Sequence, residues 1–295
     1  MKNLQTLLQI NDYPLRNKER LLWAVKILVT VLCIGFIIHK LKGYSYPPGS
    51  LLISMNNYQW VTLSALLMPL NWYLEVQKWR MSIEEEQLSF KEGVQAVLSG
   101  LALNWILPFT LGDVTGRLAN AQNRKKVGMA LIITRTISMI ITLAFGGCGV
   151  VYYLGYSSKY YLLIVALSIT SLFILSRVYR FAELKSYGRV ICLSVIRYLV
   201  FSIQFIILIW ALVPGLAWET IVLGVGWVFL FRSVVPSLFG NFGIREASAL
   251  MFFEKYLEVP AVILIPSLLI WIINTVIPSV IGAFLLFKLR LNIAQ

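Results

Sequence analysis

Long apolar runs separated by short basic stretches set the pattern of this chain. Runs of the length needed to cross a bilayer, about 20 residues, fall at roughly 21–39, 58–76, 94–111, 127–154, 160–176, 190–213, 217–238 and 260–287. Tyr and Trp mark several ends (Trp23, Trp60, Tyr152, Tyr153, Tyr160, Trp218), as expected of side chains at a membrane–water interface. The stretch 244–258 reads as a short amphipathic helix with charge at both ends. The first run follows Arg16, Lys18 and Arg20 and no small-x-small cleavage site comes after it, so it reads as a retained signal anchor.

Composition supports an integral membrane protein. Of 295 residues 59% are hydrophobic and 13% charged, and the mean hydropathy is +0.78; soluble domains carry about 25% charged residues. The formal net charge of +13 reflects basic residues flanking the runs, the positive-inside pattern, and not a nucleic-acid partner. Cys33, Cys148 and Cys192 each lie in an apolar run without C-x2-C spacing, and His39 stands alone. Neither a metal site nor a cofactor is expected from them.

The positive-inside rule also chooses the topology. If all eight runs crossed, Arg124-Lys125-Lys126 would fall opposite the N-terminus. If 94–111 enters and returns, and 217–257 does so from the other face, most loop Lys and Arg share one side, with Lys288 and Arg290 among them. The expectation is an all-α membrane protein with about six full crossings and two re-entrant hairpins. Its parts are a cytoplasmic segment 1–20, a first repeat 21–154 (re-entrant 94–126) and a second repeat 155–290 (re-entrant 217–257). Both termini are cytoplasmic and no soluble domain is expected.

Both hairpins carry one motif. ILPFTLGDVTGRLANA (106–121) and VVPSLFGNFGIREASA (234–249) share Pro-x3-Gly-x4-Arg: Pro108, Gly112 and Arg117, then Pro236, Gly240 and Arg245. Proline breaks the helix and glycine permits the reversal; Gly243 adds a second glycine to the later copy. Paired breaks in two halves are the mark of an inverted repeat with a site at its interface. Arg117 and Arg245 follow the breaks, near helix starts that favour anions, and guanidinium grips phosphate in a two-pronged fork. Asp113 and Glu246 stand ready to pair with them, although Asp113 could equally cap a helix. Arg135 lies within a span, where charge is costly and normally faces a cavity. Arg232, four residues before Pro236, is expected in the same cavity; Arg197 either joins it or snorkels. Glu75, Lys78 and Arg80 read as a solvated helix end with i,i+3 pairing, and Glu84-Glu85-Glu86 as a solvated loop. Gly146-Gly147-Cys148-Gly149 reads as close helix packing, and Asn71, Asn104 and Asn274 as hydrogen-bonding groups between helices.

The motif pair resembles the membrane region of lysylphosphatidylglycerol synthases and the stand-alone flippase-like proteins related to them. PSLFGNFGIRE (236–246) is similar to that family's second element, with Asn241 where a second glycine is common, and PFTLGDVTGR (108–117) to its first. The resemblance runs from about residue 20 to 290. It implies a lipid translocator of two inverted halves in a prokaryotic plasma membrane, with an anionic lipid headgroup as ligand. It also implies a lipid-synthesising enzyme encoded separately, because the family's synthase domain is not seen in this chain. The expected function is flipping an anionic phospholipid or lipid-linked precursor, with no enzymatic activity. The alternatives are a non-transporting accessory protein for a lipid-modifying enzyme or glycosyltransferase, and a transferase using a lipid phosphate with Asp113, Glu75 or Glu246 as base.

Overall fold

The computed structural model describes residues 13–42, 57–105, 107, 111–119, 121–157, 159–181, 186–236 and 241–293. Pro108 and Gly240 of the paired motif lie outside the described residues, as does most of segment 1–20. All regular structure among the described residues is helical: α1 (Tyr13–Lys42), α2 (Tyr58–Ser82), α3 (Phe90–Leu103), α4 (Leu111–Leu118), α5 (Arg124–Tyr153), α6 (Lys159–Phe181), α7 (Tyr187–Leu212), α8 (Trp218–Val234), α9 (Ile244–Phe253), α10 (Leu264–Trp271) and α11 (Ile277–Ile293). A π-helical segment, Ile272–Val276, joins the last two.

Five segments are long and apolar enough to cross a membrane: Trp23–Lys42, Arg124–Tyr153, Lys159–Val178, Tyr187–Leu212 and Pro260–Leu286. The chain is therefore a multi-pass membrane protein. Helix α2 has 25 residues but is not among the five, because Asn71, Glu75, Lys78 and Arg80 interrupt its apolar sequence. Large apolar side chains face outward, as lipid contact allows; Leu162 is 76% and Phe284 71% exposed.

Two antiparallel helical pairs set the geometry of the interior. In the first, α3 packs on α4 through glycines: a Cβ on Gly112 would stand 2.3 Å from Asn104 N, and one on Gly116 2.6 Å from Gly100 N. Ser89 starts α3 with a capping box, exchanging hydrogen bonds with Glu92. In the second pair, α8 packs on α9, with Trp227 Nε1 donating to Ser248 O at 3.0 Å. The pairs open toward opposite ends of α5. At its N-terminal end, Glu86 accepts from the N–H groups of Gln122 (2.8 Å) and Asn123 (2.9 Å). At its C-terminal end, Tyr152 hydroxyl meets Thr220 Oγ1 at 2.9 Å and Lys255 Nζ donates to Tyr153 O at 3.2 Å. Helix α5, with 30 residues, is about 45 Å long.

Packing partners recur in reciprocal form. Helix α2 lies against α7; α5 lies against α8 and α11 against α3; α4 touches α5 and α9 touches α10; α2 meets α3 and α7 meets α8. At the α2–α7 crossing the bonds are mutual: Ser64 Oγ donates to Gln204 O (3.3 Å) and Gln204 Nε2 to Ser64 O (2.8 Å).

Three sequence expectations change. The triple glutamate is not simply solvated: Glu86 holds the start of α5, Glu85 pairs with Lys126, and Glu84 accepts from Ser186 Oγ at 2.8 Å. The amphipathic helix is α9, and it is buried almost throughout from Ile244 to Phe253. Glu75 and Lys78 form the expected i,i+3 pair, but both are buried. The glycine stretch at 146–149 does pack closely: a Cβ on Gly146 would lie 2.5 Å from Leu230 Cβ, and one on Gly149 2.5 Å from Leu223 O. Asn71 Nδ2 donates to Asn274 Oδ1 at 2.9 Å, from α2 to the π segment.

The α3–α11 contact depends on Gly282, whose Cβ would stand 2.0 Å from Leu98 O, whereas Gly128 has open space around it. Gly282→Leu is expected to destabilise by about 1–3 kcal/mol or more through overpacking. Gly128→Ala, in a helix, is expected to be neutral or stabilising by up to about 1 kcal/mol. Thermal unfolding of the two variants in detergent checks both.

Candidate functional site

The site starts from a polar stripe on an otherwise apolar helix. Ser64, Asn71, Glu75, Lys78 and Ser82 recur along one face of α2, and all are buried. Inside a membrane such a face must find partners, because unpaired polar groups there are costly. Glu75 finds three: Oε1 is 2.7 Å from Arg117 Nη2, while Oε2 is 2.6 Å from Lys78 Nζ and 3.2 Å from Arg197 Nε. The Arg197 N–H is close but not aligned for a hydrogen bond. Lys78 Nζ also donates to Ser138 Oγ on α5 at 3.3 Å.

Arg117 joins this carboxylate to a second one. Its Nε donates to Asp113 Oδ1 at 2.8 Å, one turn back on α4, and Asp113 Oδ2 lies 2.6 Å from Arg135 Nη2. Asp113 thus pairs and does not cap; the capping is done by Asn104, whose Oδ1 accepts from Asp113 N at 3.0 Å. The Arg117 guanidinium also stacks on Trp79, 4.8 Å from the ring centre. The result is one continuous network with two carboxylates and four cations, drawn from α2, α4, α5 and α7.

The network forms one wall of a cavity of about 500 Å³ between α1, α2, α5, α7 and α8. Its lining includes five cationic side chains, Lys26, Lys78, Arg135, Arg197 and Arg232, and one acidic side chain, Glu75. Hydroxyls of Ser138, Thr142, Ser194, Tyr198 and Ser233 add donors, and Pro236 and Asn241 bring the tip of the α8–α9 pair to the rim. Arg232 has no carboxylate partner among the described residues; its guanidinium stacks on Phe201 (4.8 Å) and Phe229 (6.0 Å). Cationic side chains thus outnumber acidic ones in the lining.

Sequence reasoning placed Arg135 and Arg232 at such a cavity, and both line it. Arg117 and Arg245 do not line it. Arg117 stands behind Glu75. Arg245 is 1% exposed and bonds its own neighbour, with Nη2 at 2.9 Å and Nε at 3.2 Å from Glu246 Oε1. Glu246 in turn accepts from Gly243 N at 2.7 Å and from Ser267 Oγ at 3.4 Å. Gly243 has φ +88°, which glycine adopts without strain. Asn241 has φ +67°, and asparagine is among the few side chains that tolerate the left-handed region, so it can stand where the related motif has glycine. Gly112 and Pro236 are placed at the hairpin tips; Pro108 and Gly240 lie outside the described residues. Glu75, Lys78 and Lys26 were missed as lining residues, and Arg197, left open between cavity and interface, lines the cavity. The signal for the first two was available as the i, i+4, i+7 spacing of Asn71, Glu75 and Lys78. Among the described residues no cluster of three or more His, Cys, Asp or Glu could hold a metal.

A multi-pass helical bundle with a cation-lined chamber between its helices defines the class. The family described as the lysylphosphatidylglycerol synthase TM region matches residues 23–187, more than half of the chain, and the chain belongs to that family. The second motif falls beyond the matched residues. No curated protein matches the chain.

Glu75→Gln would leave Lys78, Arg117 and Arg197 without their shared counter-charge. The expected loss is about 3–5 kcal/mol, the range for breaking a buried ion pair. A lowered midpoint of thermal unfolding, followed by tryptophan fluorescence in detergent, checks it; an unchanged midpoint would show that the network does not hold the fold.

Proposed function

We propose that the chain carries an anionic lipid headgroup across the plasma membrane of a prokaryote. The observation that supports this reading best is the chamber of about 500 Å³ lined by five cations and one carboxylate. Charge at membrane depth is disfavoured by at least ~2.5 kcal/mol per residue, so an excess of it there calls for a counter-ion. A headgroup would supply that charge while its acyl chains stay in lipid. Arg135 and Arg232 make the contacts in this reading. Arg117 and Arg245 act from behind, holding the two hairpins in shape.

The reciprocal packing supports an inverted repeat. Pairing α2 with α7, α3 with α8, α4 with α9 and α5 with α10–α11 maps contacts among these helices in one half onto contacts in the other, with α1 and α6 outside the pairing. With α2, α5 and α6 crossing fully and the α3–α4 pair returning to its own face, an odd number of crossings separates the halves, which inverts the second relative to the first. The α3–α4 and α8–α9 pairs are then re-entrant hairpins from opposite faces, and α1, α2, α5, α6, α7 and α10–α11 are the six crossings. The basic residues Arg124, Lys125, Lys126, Arg177 and Arg189 fall on one side, which the positive-inside rule makes cytoplasmic, with both termini. The reading is of a translocator and not an enzyme, since Glu75 and Asp113 have their oxygens engaged by cations and neither is placed as a general base.

Two measurements test this. In a cysteine-free background, Cys at Gln122 is expected to react with a membrane-impermeant maleimide only from the cytoplasmic face, and Cys at Glu258 only from the other. Reaction of both from one face would refute the opposed hairpins. In proteoliposomes carrying fluorescent phosphatidylglycerol or phosphatidate, wild-type protein is expected to expose inner-leaflet label to dithionite. Arg232→Ala and Arg135→Ala should slow this about tenfold or more, the loss expected for a charge-assisted contact. Rates equal to protein-free vesicles for both labels would end the translocator reading.

A further inference from the structure

We infer that the last membrane segment is jointed: the π-helical turn Ile272–Val276 is a hinge and Trp271 a clasp, and releasing the clasp moves the tips of the two helical pairs apart. The inference goes beyond the translocator reading and does not depend on it.

The joint is written in the sequence. Pro278 has no N–H to give the carbonyl of Asn274, four residues back, and its ring crowds that carbonyl. The helix widens just ahead of the proline, where Ile277 N donates to Ile272 O, five residues back. Helices bend at π turns of this kind. The counterpart in the reciprocal packing, α5, runs from Arg124 to Tyr153 as one α-helix without a proline.

Each side of the joint carries one helical pair. Before it, α10 packs on α9, and Ser267 Oγ donates to Glu246 Oε1 at 3.4 Å. After it, α11 packs on α3, and Ser279 Oγ accepts from Trp105 Nε1 at 3.0 Å. The joint itself is tied to α2 by the Asn71–Asn274 bond. That bond uses half of what two amides offer: Asn71 Oδ1 and Asn274 Nδ2 are buried and have no hydrogen-bond partner among the described residues. A shift of the joint gives up one hydrogen bond there and leaves no fully satisfied network broken.

Trp271 is the last residue before the joint and touches both tips. Its ring centre is 5.9 Å from that of Trp105, just past the end of α3, and 5.1 Å from that of Phe242, just ahead of α9. Trp105 is therefore held from both sides of the joint, by Trp271 and by Ser279. A bend between those two residues draws Trp105 off Trp271. Phe242 follows Asn241, which lines the chamber, so parting these rings also moves the rim of the chamber. Helix α5 packs on both α4 and α8 without a break. It serves as the fixed side, and the α10–α11 side is the one that opens.

The test is a distance measurement on the full chain in nanodiscs. In a cysteine-free background, nitroxide labels at exposed Leu111 of α4 and Met251 of α9 report the spacing of the two pairs by pulsed electron resonance. A control set at Glu219 and Met251 lies within the second pair. The unsubstituted clasp is expected to give one main distance with a minor longer one. Trp271→Ala should raise the longer population about tenfold, the weight of two lost ring contacts, and Trp271→Phe should restore most of the main distance. Adding Pro278→Ala to Trp271→Ala supplies the missing N–H and should return a single distance. The control distance should stay the same throughout.

Superimposable distributions with and without Trp271→Ala would overturn the clasp. A longer population that survives Pro278→Ala would overturn the hinge. Broadening of the control distance in Trp271→Ala would overturn the inference too, by assigning Trp271 to the packing of the second pair alone. None of these outcomes bears on lipid transport, which the dithionite assay reads separately.

Discussion

One carboxylate, Glu75, ties the interior together. It sits on a helix that is otherwise apolar, is nearly excluded from solvent, and is shared by cations from α2, α4 and α7. Through Arg117 it reaches Asp113 and so Arg135 on α5. An isolated carboxylate at this depth would be neutral or would not be there. Surrounded by three cations it is fixed, and it fixes in turn where α4 and α7 stand relative to α2. The chamber exists because these helices are held apart by charge pairs at one level, while glycines elsewhere let their neighbours close to backbone contact. The cations held by Glu75 and Asp113 also line or back the chamber, so packing and lining draw on the same few atoms.

Much of the scaffold was legible from the chain. The apolar runs located the long helices, since length and hydropathy are local properties of sequence, but missed ends by up to eight residues, at Tyr13 of α1 and Leu103 of α3. The paired Pro-x3-Gly-x4-Arg motif located both helical pairs, because broken helix inside an apolar segment has few physical uses. The glycines at 146 and 149 could be read as a packing surface for the same reason. The site was legible only in part. Arg135 and Arg232 were found because an arginine in a span requires an explanation. Glu75 and Lys78 were passed over because an i,i+3 ion pair near a helix end has an ordinary explanation in water. Only the extension of their spacing to Asn71 and Ser64 shows that the polar face turns inward. Nor does spacing reveal that Arg245 is satisfied by the residue next to it; that follows from the turn at Gly243, whose N–H aims Glu246 back along its own helix.

The two helical pairs thus pack in reciprocal fashion but do not share a chemistry. In the first, Arg117 reaches across to another helix and contributes to the wall of the chamber. In the second, Arg245 and Glu246 form a closed unit with Gly243 and Ser267, and the contribution to the chamber comes instead from Arg232 and the tip residues Pro236 and Asn241. Arg232, four residues before that tip, lies against the aromatic faces of Phe201 and Phe229.

That difference bears on how the two halves can drift in evolution. The Arg245–Glu246 pair is written in adjacent codons, so a single short replacement exchanges both charges together, with Gly243 and Ser267 left to find new partners. The Glu75 cluster is written in four separate places, at 75 and 78, at 113 and 117, at 135 and at 197. A change of sign at any one of these sets like charges together in at least one other. Among descendants of this sequence, the second helical pair can exchange its charges locally, while the first is bound to residues spread over four helices.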